Sequence, residues 1–291
     1  MNMNTDPHIH FSPQSLNRIS TERLALGVFD GVHVAHQQVL ASATTGLTFT
    51  PHPDMVLGKK TITYLTTLPE QRHFFPSLLS LRFNRSIANL TWSEFLDQVL
   101  MRYLKPDIII TGYDYKFGKK QEGTIEKLSA WARPHNIQIE TIAPVYHNDT
   151  LIKSTRIRSL LEDGQFQLAH KMLGHDYPIF GKVVSGDGRG KTLGFPTANV
   201  STPKHKCLPQ NGVYGGYWLY RSKQIPCIIY IGTKPTFTDA SPQVEVHIPN
   251  FSGNLYGKTL KCFISKKIRG EQTFQSKNAL ITQIRYDLQQ L

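Results

Sequence analysis

Leu24-Ala-Leu-Gly-Val-Phe-Asp-Gly-Val-His-Val-Ala-His36 decides how the first half of the chain folds. Leu24 to Phe29 is a short apolar run that reads as a buried strand, and Asp30-Gly31 ends it in a sharp turn. His33-Val-Ala-His36 then opens a helical pattern, Gln37 to Ala43. Strand, glycine turn and helix start together aim backbone N–H groups and a helix dipole at an anion. Histidines three residues apart in a first helical turn share a side. His33 and His36 could hydrogen-bond phosphate oxygens there and stabilise charge as pyrophosphate leaves. The alternative, that they only close a helix end or bind a stray metal, stays open on this stretch alone.

Outward from it, Leu47-Thr-Phe-Thr-Pro-His-Pro53 reads as a second strand stopped by a proline-bounded turn. Ser93 to Leu104 has the pattern of an amphipathic helix, with Phe95, Leu96, Val99, Leu100 and Tyr103 on one face. Pro106-Asp-Ile-Ile-Ile-Thr-Gly112 is an unbroken apolar strand of the kind buried on both faces of a parallel sheet. Asp114-Tyr-Lys-Phe-Gly118 follows it, then a helix Thr124–Arg133 and a strand Ile137 to Ile142. The alternation predicts an α/β domain with a parallel sheet, which binds ligands at the carboxyl ends of its strands. The motifs at 27–36, 49–53 and 112–118 all fall at such ends, which favours the phosphate reading of the histidines. Ser154-Thr-Arg-Ile-Arg158 opens a further helical stretch and suits triphosphate oxygens, or is a plain helix cap with a solvated arginine.

The second half turns on Gly186-Asp-Gly-Arg-Gly-Lys-Thr-Leu-Gly-Phe-Pro-Thr-Ala-Asn199. Glycines let backbone approach phosphates, and Arg189 and Lys191 offset their charge. Thr197 and Asn199, two apart in an extended segment, present neutral oxygens to one side, a partial shell for magnesium already held by nucleotide phosphates. Pro196 excludes a Walker loop leading into a helix. Beyond it, the runs at 212–219, 226–232, 244–248 and 259–264 alternate with turn residues and predict a small antiparallel barrel, closed by a helix from about Ser276 to Leu291. Residues 179–291 hold only five acids: Asp187, Asp239, Glu245, Glu271 and Asp287. Phosphoryl transfer to a hydroxyl needs a carboxylate to take the proton. Glu245 sits in an alternating strand with Val244, Val246 and Ile248 on the other face, and is the base by elimination.

At 291 residues the chain is long enough for two cores, read as domains 1–178 and 179–291. Its net charge of +12 is uneven: residues 179–291 carry 15 Lys+Arg against 5 Asp+Glu, and residues 1–178 carry 18 against 16. A basic domain needs an anionic partner, and nucleotide phosphates serve as well as nucleic acid. No apolar run is long enough to span a membrane, and Met1 to Gln14 has no apolar signal core, so the expected location is the cytoplasm. Cys207, Cys227 and Cys262 are far apart and odd in number, which predicts reduced thiols.

In this order the motifs resemble those of the bifunctional prokaryotic riboflavin kinase/FMN adenylyltransferases, or FAD synthetases. Gly27-Val-Phe-Asp-Gly-Val-His-Val-Ala-His36 is similar to the adenylyltransferase signature, as are Thr48 to Pro53, Gly112 to Gly118 and Ser154 to Arg158. Gly186 to Asn199 resembles the riboflavin kinase signature, followed by Gly212-Val-Tyr214, Ile231 to Phe237, Glu245-Val-His247, Leu255-Tyr-Gly257 and Arg269 to Phe274. The resemblance implies a Rossmann-like nucleotidyltransferase domain followed by a riboflavin kinase-like barrel. Their substrates would be riboflavin, FMN and ATP, with Mg²⁺ required and FAD as product, and neither a membrane nor a nucleic acid as partner. It implies nucleotide contacts at Gly27, Phe29, Asp30, Ser154, Thr155, Arg158, Gly186, Gly188, Arg189 and Lys191, and flavin contacts at Asp114 and Arg269. It also implies magnesium on Thr197 and Asn199, Glu245 activating the ribityl hydroxyl, and His33 and His36 serving adenylyl transfer. Departures are Ala35 for glycine, Lys116 for arginine, Lys153 for serine, a shortened segment after His36, Tyr230 for asparagine and Asn250 for aspartate. Two alternatives remain: a kinase with a degenerate adenylyltransferase half, and a non-enzymatic flavin- or RNA-binding regulator. Oligomeric state is not legible.

Overall fold

The computed structural model describes residues 11–12, 21–58, 63–186, 188–234 and 241–291. Its contacts divide the chain into two compact units, Met1–Lys153 and Ser154–Leu291. Asp187, Asp239 and residues 235–237 lie outside the described residues, as does the side chain of Arg189.

The first unit runs β1 (Phe11–Ser12), β2 (Arg23–Leu26), α1 (Val34–Ala41), β3 (Thr45–Thr50), α2 (Pro53–Val56), α3 (Leu68–Phe74), β4 (Leu78–Arg82), α4 (Arg85–Asn89) and α5 (Trp92–Phe95). After the wider helical winding Leu96–Leu104 come β5 (Ile108–Gly112), α6 (Ile125–Ala132), β6 (Gln138–Ile142) and the small hairpin β7 (Tyr146–His147) and β8 (Thr150–Leu151). The sheet order is β1-β4-β3-β2-β5-β6, with β2 to β6 parallel and β1 antiparallel to β4. Leu24 and Leu26 enter one core with Phe95, Leu96 and Val99, while Ala25 enters another with Phe29, Val39 and Leu40. Both faces of β2 are therefore covered from Leu24 to Leu26, which is why those three residues are all apolar. Strand order reverses at β2, which lies between β3 and β5. The loops leaving β2 and β5 thus flank the switch point where such sheets bind ligands.

The helix predicted over Ser93–Leu104 divides. Its first turn is α-helical with a Thr91–Glu94 capping box, and the rest is π-wound, ending at Lys105 in the left-handed region. The Lys105 N–H donates to the Leu100 carbonyl at 2.8 Å. The wider winding rotates the buried face, so Leu104 is buried and Tyr103 only partly.

The second unit runs α7 (Ser154–Glu162), α8 (Phe166–Leu173), β9 (Tyr177–Val184), the single turn α9 (Arg189–Thr192), β10 (Thr197–Ser201), β11 (Gly212–Tyr220), β12 (Lys223–Lys234), β13 (Ser241–His247), β14 (Thr259–Gly270) and α10 (Lys277–Leu288). Six strands close a barrel in the order β10-β13-β12-β11-β14-β9. Inward-facing Ile229, Ile231, Val244 and Val246 alternate with half-buried Tyr230, Glu245 and His247. α7 and α8 group with the barrel: the Gln210 N–H donates to the Leu161 carbonyl at 2.9 Å, and α8 packs on β14.

α10 is tied to the barrel by a buried ion pair. Arg269 Nε donates to both oxygens of Asp287 at 3.0 Å, its Nη2 reaches Asp287 Oδ2 at 2.9 Å, and Asp287 is 2% exposed. Removing one partner of such a pair strands the other charge in a desolvated place. Asp287→Ala is expected to destabilise the barrel by about 3 kcal/mol, read as a lower denaturant midpoint for that unit.

Candidate active sites

In the first unit the loop from Gly27 to His33 is held in an unusual backbone shape. Phe29, Gly31 and Val32 have φ of 52°, 90° and 41°. Left-handed Phe and Val persist only where their surroundings over-determine them. Here they do. Thr48 Oγ1 donates to the Val28 carbonyl at 2.7 Å, and Gln71 Nε2 donates to the Val28 and Phe29 carbonyls at 3.1 and 3.2 Å. Asp30, 3% exposed, accepts from the Thr66 N–H at 3.1 Å, while Thr66 Oγ1 accepts from the Gly31 N–H at 2.7 Å. A Cβ on Gly27 would stand 2.8 Å from the Phe29 ring, so the ring folds back over a position only glycine leaves open.

His33 caps α1, its Nδ1 accepting from the His36 N–H at 3.4 Å. A neutral His33 therefore carries its proton on Nε2. The two imidazoles stack with centroids 3.6 Å apart, and His36 meets the Phe29 ring edge-on at 5.6 Å. Burial, and secondarily His33, hold the His36 imidazole well below its ordinary 6.5. His36 Nδ1 has no hydrogen-bond partner among the described residues. At the end of β5, Lys153 Nζ pairs with Asp114 Oδ2 at 3.0 Å, which raises the lysine's pKa. His52 caps α2, accepting from the Asp54 N–H at 3.2 Å. Ser154, Thr155 and Arg158 lie on the first turns of α7, which begins the second compact unit.

In the barrel, Glu245 lies where its neighbours predict. Thr197 Oγ1 donates to Glu245 Oε2 at 2.8 Å; Gln243 Nε2 donates to Glu245 Oε1 at 2.7 Å and to Asn199 Oδ1 at 2.9 Å. Asn199, Glu245 and Tyr230 are direct cross-strand partners on β10, β13 and β12, and Val213 and Arg269 continue the row. The glycine loop closes on them. A Cβ at Gly186 would stand 2.0 Å from Asn199 Nδ2, and one at Gly190 2.4 Å from the Phe195 carbonyl oxygen. Gly188 has a φ of 67° just before α9, which carries Lys191. Arg269, the expected flavin contact, has its guanidinium on Asp287 and 5.5 Å from the Phe274 ring centroid. A separate cavity of about 420 Å³ lies between Trp218, Tyr220, Phe251, Leu255, Lys258 and Lys261.

Sequence reasoning missed Thr66 and Gln71, which pin the first loop, and the chain of bonds from Tyr230, the strand partner of Glu245, through Glu271 to Asn211. Gln243 was findable, since two residues before Glu245 in a strand puts it on the same face.

A glycine loop with a stacked histidine pair at a sheet switch point, and a carboxylate held by a hydroxyl and an amide beside a second glycine loop, suit a two-unit ATP-dependent transferase. The FAD synthetase family model matches residues 17–156 and the riboflavin kinase model residues 173–291. The bifunctional riboflavin kinase/FMN adenylyltransferase of Buchnera aphidicola subsp. Schizaphis graminum is 34% identical, covering 93% of both chains. That of Escherichia coli K12 is 33% identical over 91% of this chain and 90% of its own, and that of Bacillus subtilis 32% over 92% and 90%. A crystal structure described as a macrolide-efflux protein from Streptococcus pneumoniae matches with a TM-score of 0.81 at 28% identity, covering 94% of this chain and 95% of that one. In this chain no helix among the described residues is long and apolar enough to cross a membrane. The chain belongs to the bifunctional riboflavin kinase/FMN adenylyltransferase family.

Proposed function

We infer that the barrel phosphorylates riboflavin from ATP and that the α/β unit adenylylates the resulting FMN from a second ATP. The observation that carries the first step is the convergence of Glu245, Thr197 and Asn199 beneath the glycine loop. Glu245 takes the proton of the ribityl 5′-hydroxyl as that oxygen bonds to the γ-phosphorus, and the bond to the β-phosphate oxygen breaks to release ADP. Gly186 and Gly188 let the loop backbone close on the triphosphate, and Arg189 and Lys191 bring positive charge to it. Magnesium fits this donor set. Thr197 can donate to Glu245 while its lone pairs stay available, and Asn199 Oδ1 has one lone pair beyond that used by Gln243. Among the described residues no cluster of three His, Cys, Asp or Glu could cage a metal, which suits an ion shared with ATP. Held by Thr197 and Asn199, it would supply positive charge to offset that of the triphosphate.

For the second step, an FMN phosphate oxygen attacks the α-phosphorus of ATP and pyrophosphate leaves, with no covalent intermediate. His33 offers an Nε2 proton to phosphate oxygens, and His36 takes up a proton as the anion arrives. Gly27, Phe29 and Asp30 set the loop's shape, Asp114 faces the flavin side, and Ser154, Thr155 and Arg158 serve the triphosphate. Arg269 serves the flavin of the kinase site from the end of β14. Functionally we assign residues 1–178 to adenylylation and 179–291 to phosphorylation, in the cytoplasm where ATP is supplied. Matches to both family models weigh against a degenerate first half and against a non-enzymatic regulator.

Gly186→Ala tests the loop's part. The added methyl must displace the Asn199 amide, and a misplacement of about 1 Å costs on the order of 10²-fold. Riboflavin phosphorylation is expected to lose that much in kcat/KM for ATP while FMN adenylylation keeps its rate, measured by separating FMN and FAD. An unchanged kinase rate would remove the loop from the site.

A further inference from the structure

We propose that Tyr230 is a positioning residue for riboflavin phosphorylation, latching Glu271 and the chain leaving β14 beside Glu245, on the side where the acceptor flavin enters. The proposal rests on reading Glu245 as the base.

Tyr230 and Glu245 are direct partners in the β12–β13 register, and Ile229 and Ile231 on either side of the tyrosine point into the barrel. Tyr230 therefore lies on the outer face with the carboxylate. Its ring does not project outward but lies along its own strand. A Cβ on Gly232 would stand 2.3 Å from the Tyr230 hydroxyl and 2.5 Å from Cζ, so glycine two residues on is what makes room for it. This orientation carries the phenol to where the chain emerges from β14. There Tyr230 Oη donates to Glu271 Oε1 at 2.5 Å, a short charge-assisted bond. The other Glu271 oxygen accepts from Asn211 Nδ2 at 3.2 Å, and the same Nδ2 donates to Thr233 Oγ1 at 3.4 Å.

An exposed glutamate at the start of a loop would ordinarily sample many rotamers. With one oxygen on Tyr230 and the other on Asn211, this one is fixed. Burial, then the bond to Glu271, push the Tyr230 phenol up to about 12, with Glu245 adding to the rise, so the hydroxyl stays a donor at every physiological pH. Two carboxylates thus flank one tyrosine: Glu245, left to take the acceptor's proton, and Glu271, held in place as a wall and hydrogen-bond acceptor for the flavin. The expected signature is a binding effect with the chemistry retained.

Steady-state kinetics of riboflavin phosphorylation with Tyr230→Phe, Glu271→Ala, the double variant and Glu245→Gln tests this. Tyr230→Phe should raise KM for riboflavin roughly tenfold, the scale of a lost hydrogen bond to a charged group, with kcat within about twofold. The retained kcat reports that the barrel is folded. Glu271→Ala should raise KM at least as much, and the double variant no further than Glu271→Ala alone, because the hydroxyl acts only through that carboxylate. An unchanged KM in Tyr230→Phe, a fall in kcat at constant KM, or effects that multiply in the double variant would overturn the proposal. Glu245→Gln reports separately: retained kcat there sinks the base and leaves the Tyr230 result to be judged on its own.

Discussion

Glu245→Gln is expected to lower kcat for riboflavin phosphorylation by about 10²- to 10⁴-fold, the range for loss of a general base, with KM for riboflavin near that of the wild type. The substitution is nearly isosteric. The new amide oxygen can accept from Gln243, and the Thr197 hydroxyl, which both donates and accepts, can turn to meet the new NH₂. Strand pairing through Asn199 and Tyr230 involves backbone only and is untouched. What disappears is the capacity to take a proton. The two other acids of residues 179–291 that lie among the described residues do not replace it: Asp287 is buried on Arg269, and Glu271 is held by Tyr230 and Asn211. FMN adenylylation by the same protein should be unaffected.

His36→Ala is expected to lower FMN adenylylation by about 10²- to 10³-fold, the cost of removing one donor aimed at developing phosphate charge, while riboflavin phosphorylation continues. The stacked pair makes His36 more than a surface imidazole. It is held neutral at pH 7 by burial and by His33, and its Nδ1 has no partner among the described residues. Below 6.5 the unfolded chain binds a proton that the folded one refuses, so stability falls as pH drops from 6.5 toward the lower folded value. His36→Ala should remove that acid-side loss, seen as a flatter stability profile below pH 6.5. An arriving triphosphate reverses the balance by favouring the imidazolium. Calorimetry in two buffers of different ionisation enthalpy should show proton uptake on ATP binding to the wild type and a smaller uptake in the variant. Unaltered adenylylation would mean the histidines merely close the helix.

What could be read from the sequence was local. Leu24 to Phe29 reads as a buried strand because it is an apolar run, though the strand itself stops at Leu26, and Gly31 and His33 mark the turn and the cap within a few positions. Glu245 was legible because β13 alternates cleanly and the barrel has few acids. The strand order around β2 is not local, and neither is the pinning of Phe29 by Gln71 or of Gly31 by Thr66, which come from α3 and the segment before it. The Tyr230–Glu271 bond joins residues that only barrel closure brings together. Only the register sets Tyr230 opposite Glu245. Arg269 stood out by its place in the motif, but its buried partner Asp287 comes from α10 and was not legible. The Ser93–Leu104 periodicity gave a helix correctly but not its π winding, which depends on how Leu104 seats in the core.

Complementation tests the division of labour most directly. Glu245→Gln and His36→Ala proteins are each supplied with riboflavin, ATP and magnesium, alone and mixed, and FMN and FAD are quantified. The expected result is little product from the first, FMN without FAD from the second, and FAD from the mixture, because free FMN passes between proteins. No FAD from the mixture, or no FMN from His36→Ala alone, would contradict two independent sites.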